Sequence, residues 1–180
     1  PTFNDCIIRD NNLYHYTENS TPYGAGVKIH NSNSTFTNCQ IINNMSEAGV
    51  NHHNSYYAYA RGAGMFISGS GSNVTLDECL ISSNESYTRD DNSDADSRGY
   101  SQGAGIYHED GTLNILNTEI SNNMINGEGP ETTFEGGGLF VNTGTVNINN
   151  VTIANNENQG IWRYNGSVNV GSSIIWGNEH

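Results

Sequence analysis

One eleven-residue frame occurs six times along the chain and limits its fold more than any other feature. The clearest copy runs Val146-x-Ile148-x-x-Val151-x-Ile153-x-x-Asn156. The other five end on Asn11, Asn44, Asn84, Asn123 and Asn178, and place Cys6, Cys39, Cys79, Thr118 and Ser173 at the slot of Val151. Self-similarity at a short period marks a repeat architecture. Apolar residues two apart put their side chains on one face of a strand. The change from a step of two to a step of three marks a bend between two strands.

A glycine element precedes each of the last five copies. Gly24-Ala-Gly26, Gly62-Ala-Gly64, Gly103-Ala-Gly105 and Gly136-Gly-Gly138 open short apolar strands, and Gln159-Gly160-Ile161 is a degenerate form. The second glycine stands 18 residues before the repeat Asn in four units and 20 in the other, where Ser68–Ser72 holds an inserted turn. From Asn to the next second glycine the distance varies: 15, 20, 21, 15 and 4 residues. Nearly all insertion therefore enters at one corner, and the shortest unit, Asn156 to Asn178, spans 22 residues.

These spacings predict an all-β right-handed parallel β-helix, a solenoid with minimal coils of about 22 residues and long insertions at one corner. A leucine-rich repeat competes on unit length, but the core here is Ile, Val, Phe and Cys, and each unit opens on Gly-x-Gly. The six Asn are expected to form a ladder along the axis and to turn a corner, since Asn tolerates left-handed backbone. The glycine pairs are expected to let the chain re-enter the wall sharply. The three cysteines share one small slot, read as a column of stacked core thiols, with an inter-coil disulfide as the alternative. Residues 1–180 are expected to form one β-helix domain. Pro1 and His180 fall inside repeats, so that domain reads as a segment of a longer protein, stacked on neighbouring coils of the same parent chain.

Charge narrows the partners. With 19 acids against 6 bases the chain carries −13, which disfavours nucleic acid and anionic lipid. No apolar run is long enough to span a bilayer as a helix. Asn-x-Ser/Thr triplets are expected by chance at this composition, and Asn44 and Asn84 are also ladder positions, where a glycan would clash.

Gly-(Ala/Gly)-Gly-apolar, as at Gly62–Met65, followed by Ile-x-x-Asn, as at Ile81–Asn84, resembles the paired repeats of the chlamydial polymorphic outer-membrane proteins. It is also similar to repeats of many secreted and surface β-helix proteins of bacteria. Ser173-Ile-Ile-Trp-Gly-Asn178 resembles a closing motif of such proteins from Bacteroidetes-like bacteria. The likeness covers nearly the whole chain and departs from the chlamydial pattern in having Ile where Phe precedes x-x-Asn. It implies a secreted or cell-surface protein of adhesin or passenger type.

Chemistry is expected at the corner that takes insertions, since a rigid wall presenting variable loops suits binding. On the glycine strands, Lys28, Phe66, Tyr107, Phe140 and Trp162 read as outward-facing, about 4.8 Å apart along the axis. Phe66, Tyr107, Phe140 and Trp162, with Tyr56 and Tyr57 of the second insertion, are candidate ligand-binding residues for a glycan or a protein surface. The alternative is that insertions fold back over this stripe, because bare aromatic stripes are uncommon. Asp90, Asp91, Asp94 and Asp96 are a weak Ca²⁺ candidate, with a solvated acidic loop as the plainer reading. No other cofactor is expected. The competing function is a polysaccharide lyase- or hydrolase-like β-helix whose catalytic residues are absent or lie outside this segment. One Lys and five Arg share no outward column for a lyase, and no carboxylate pair falls on rigid strands for a hydrolase.

Overall fold

The computed structural model describes residues 1–17, 19–50, 57–90, 98–129 and 131–179. Among these the chain is all-β, without helix, and its strands form five sheets in which every pairing is parallel. Sheet A holds Thr2–Asn4, Asn33–Thr37, Asn73–Asp77, Thr112–Leu116, Thr145–Asn149 and Ser167–Gly171, in chain order. Sheet B holds Ile7–Arg9, Gln40–Ile42, Leu80–Ser82, Glu119–Ser121, Thr152–Ala154 and Ile174–Trp176. Sheet E contains the glycine strands Val27–His30, Met65–Ser68, Ile106–His108, Leu139–Val141 and Ile161–Arg163.

Each strand pairs with its counterpart one repeat away, so like stacks on like. Phe36, Leu76, Ile115, Ile148 and Val170 fall in one column, and Ile41, Ile81, Ile120, Ile153 and Ile175 in another. All but Val170 and Ile175, which are exposed in the last repeat, form one buried cluster with Ile67, Ile106 and Leu139 from sheet E. Cys39 and Cys79 are buried in it as free thiols beside the partly buried Cys6. Burial pushes the Cys79 thiol up, away from the reactive thiolate.

The Asn column closes on itself. Each Asn amide nitrogen donates to the side-chain oxygen of the next: Asn11 to Asn44 at 2.9 Å, Asn44 to Asn84 and Asn84 to Asn123 at 3.0 Å, Asn123 to Asn156 and Asn156 to Asn178 at 2.9 Å. It also donates to an isoleucine carbonyl of the preceding repeat, as Asn84 does to Ile41 at 2.9 Å. These bonds satisfy polar groups at a buried bend.

One detail corrects the sequence reading. The left-handed residue is the one before the ladder Asn: Asp10, Asn43, Ser83, Asn122 and Asn155, with Gly177 in the last repeat. The ladder residue must aim its side chain inward along the stack, so its neighbour takes the turn. The glycine pairs divide their labour too. Gly62 has φ of 60°, and Asn158 takes the matching left-handed position in the last repeat. Gly64 serves close approach, since a Cβ there would lie 2.5 Å from the Gly105 carbonyl and 2.9 Å from the Asn84 amide nitrogen. The glycine strand and the Asn ladder are thus in direct contact.

The described parts of the insertions are strands. They form two further in-register sheets. Sheet C holds Asn12–Tyr16, Met45–Val50, Glu85–Asp90 and Met124–Glu128, and sheet D holds Tyr57–Arg61, Arg98–Gln102 and Thr132–Glu135. The two pack face to face as an arm. Its thin core is Ala48, Ala58 and Ala60 with Ser46, Ser86, Thr88 and Ser101, all buried. Thr88 meets Ser101 at 3.2 Å, and Ser101 donates to the Asn126 carbonyl at 2.8 Å.

Candidate functional site

The aromatic stripe lies where sheet D turns into sheet E, and the returning strands cover it. Phe66, Tyr107 and Phe140 are 3%, 3% and 2% exposed. Their rings stack on one another, with centroids 5.3 Å apart for Phe66–Tyr107 and 4.8 Å for Tyr107–Phe140. Tyr23 closes one end of the stack at 4.6 Å from Phe66, and the partly buried Trp162 packs at the other. The open sugar platform expected from Phe66, Tyr107, Phe140 and Trp162 is therefore corrected. The rings spend their faces on each other and serve as a second core. Burial pushes the Tyr107 phenol up to about 12, opposed by the Arg61 guanidinium.

Exposed aromatic chemistry has moved one strand back, to the outer face of sheet D. Tyr57-Ala-Tyr59-Ala-Arg61 alternates, so the alanines enter the arm and Tyr57, Tyr59 and Arg61 face out. Arg98-Gly-Tyr100-Ser-Gln102 does the same one repeat on, pairing Tyr100 with Tyr59 and Gln102 with Arg61. Tyr59 and Tyr100 stack at 4.8 Å, and Tyr57 lies 6.1 Å from Tyr59. Tyr57, the one member of this ladder named as a candidate from its sequence context, is 41% exposed. Burial raises the Tyr59 phenol, with Arg61 opposing.

A polar row runs beneath the ladder. Arg61 lies 4.2 Å from the Tyr59 ring centre and 5.0 Å from that of Tyr107. Arg61 Nε donates to Gln102 Oε1 at 2.8 Å, and Gln102 Nε2 donates to Glu135 Oε2 at 2.5 Å. This row, with Tyr59, Tyr100, Tyr107, Phe140, Asn142 and Tyr164, lines a groove of about 280 Å³. Tyr164 is 70% exposed. Neither Tyr100 nor Tyr164 stood out as a candidate from sequence. The big–small alternation of residues 57–61 and 98–102 is the signal that points to Tyr100; Tyr164 follows a degenerate strand and has none.

Tyr56 and the weak Ca²⁺ candidates Asp91, Asp94 and Asp96 lie outside the described residues, as does the Asp90 side chain. Among the described residues no group of three or more His, Cys, Asp or Glu is placed to hold a metal ion. No helix among them is long and apolar enough to cross a membrane. Compared with known proteins, the chain matches no protein-family model, no curated protein and no solved structure.

Proposed function

We propose that the five sheets wind as a right-handed parallel β-helix, and that the chain is a secreted or cell-surface scaffold whose arm binds a glycan or a protein partner. Two facts support the winding. The last five repeats visit sheets E, A and B in the same order, and every pairing is parallel. Parallel strands joined by a crossover take the right hand in about 98% of cases. The contact role rests on one observation, the outward ladder of Tyr57, Tyr59 and Tyr100 beside a groove. Tyrosine presents large rigid area with a polar tip, which suits recognition at little entropic cost. At −13 the surface repels acidic ligands and accepts neutral ones.

The test is a screen of the chain against arrayed neutral and acidic glycans and a panel of extracellular proteins, beside the Tyr57→Ser, Tyr100→Ser double variant. Retention of a neutral glycan or a protein, lost in the variant at unchanged melting temperature, supports the proposal. No retention, or equal retention by the variant, overturns it.

A further inference from the structure

The groove beside the tyrosine ladder has a chemistry of its own. We infer that it is a subsite for one residue of a neutral sugar, seated on Tyr164 and held by Glu135. This rests on the reading of the arm as a contact face.

Ring faces decide where a sugar can sit. Tyr59 and Tyr100 face each other at 4.8 Å, and Tyr107 and Phe140 at 4.8 Å with 5° between their planes. None of these four offers both faces to a ligand. Tyr164 stacks on no other ring among the described residues and is 70% exposed. It supplies the flat apolar platform that the C–H face of a pyranose needs.

The hydrogen-bonding groups left over match a polyol. Glu135 Oε2 accepts from Gln102, which leaves Oε1 to accept from hydroxyls. Arg61 uses Nε on Gln102, and its two terminal nitrogens make no hydrogen bond among the described residues. The Tyr107 hydroxyl likewise makes no hydrogen bond among the described residues, and Tyr107 and Asn142 both line the groove. A hydroxyl both donates and accepts, so neighbouring sugar hydroxyls can serve carboxylate, amide and guanidinium together. Charge points the same way. Arg61 and Glu135 are linked through Gln102 and cancel, so neither an anion nor a cation gains a net partner. The volume of about 280 Å³ is just below the range of drug-sized pockets, about 300–1,000 Å³, and fits a single sugar ring.

Saturation-transfer NMR on the whole chain tests this, with methyl glycosides of glucose, galactose and mannose, N-acetylglucosamine, and glucuronate as the anionic comparator. The expected result is transfer to at least one neutral sugar and none to glucuronate. Tyr164→Ala and Glu135→Gln should each weaken binding about tenfold, the effect of one ring or one charged hydrogen bond. Tyr164 is exposed, and Gln at 135 can still accept from Gln102, so both variants should melt as the wild type does. No transfer to any neutral sugar, or transfer indifferent to both substitutions, overturns the subsite. If arrayed ligands still depend on Tyr57 and Tyr100 in that case, the contact face stands and only the subsite falls.

Discussion

The side-chain oxygen of Asn123 takes two hydrogen bonds from Asn84, one from the amide nitrogen at 3.0 Å and one from the backbone N–H at 3.1 Å. The Asn84 oxygen serves Asn44 in the same way, at 3.0 Å for both. The ladder is therefore a capping device repeated at every layer, and each residue carries the backbone of its neighbour.

Asn84→Ala should be disproportionately damaging. It orphans the buried Asn44 N–H and removes the amide between Asn44 and Asn123, a loss of about 3 kcal/mol. Asn11→Ala, at the exposed end, strips no buried donor and should lose less than half as much. Urea unfolding of both variants checks this, with a lower midpoint and an unchanged slope expected for Asn84→Ala.

The ladder, the glycine strands and the shared core were legible because their residues recur at fixed distance. Ile41, Ile81, Ile120 and Ile153 announce a column before any coordinate does. The arm was not legible, because its interior is Ala48, Ser86, Thr88, Gly99 and Ser101, and period-two alternation of small residues carries no apolar signal. That same smallness lets sheets C and D approach closely. The stripe was found in the correct register, but its exposure depended on where the arm returns, which no single strand encodes.

Phe140→Ala should destabilise the fold by about 3 kcal/mol, as expected for a buried ring. It removes the centre of the stack between Tyr107 and Trp162. Thermal melting by circular dichroism would show a lowered midpoint, whereas an unchanged one would mean that the rings are not a core.

Gly99 stands where a Cβ would meet Thr88 Oγ1 at 2.8 Å. Gly99→Val should separate the two sheets of the arm, at a loss of about 1–3 kcal/mol. Amide hydrogen exchange should rise along Glu85–Asp90 and Arg98–Gln102 and stay slow in sheets A and B. Uniform loosening of all five sheets would contradict a separately packed arm.

His108 is fully buried, and neither ring nitrogen has a hydrogen-bond partner among the described residues. Burial pushes its pKa down to about 4, from an ordinary 6.5. The unfolded chain therefore binds the proton first. The histidine's contribution to stability is flat above pH 6.5, falls as pH drops from there to about 4, and is lower by about 3 kcal/mol below that. Glu85 acts in the opposite sense, since burial and Glu157 raise its carboxyl. The difference between wild type and His108→Val isolates the histidine. The unfolding free energy of wild type minus that of His108→Val should fall by about 3 kcal/mol from pH 7 to pH 4, and a constant difference would contradict the assignment.

The central claim is that the outer face of the arm makes contacts while the inner stripe holds the fold. Its most direct test measures binding and melting together in two variants, against whichever arrayed ligand the wild type retains. Tyr57→Ser with Tyr100→Ser should keep the wild-type melting temperature and lose the ligand, while Phe140→Ala should melt earlier and still bind below its transition. The reverse pattern, with a stable Phe140→Ala that no longer binds and a destabilised surface variant that does, would contradict the account.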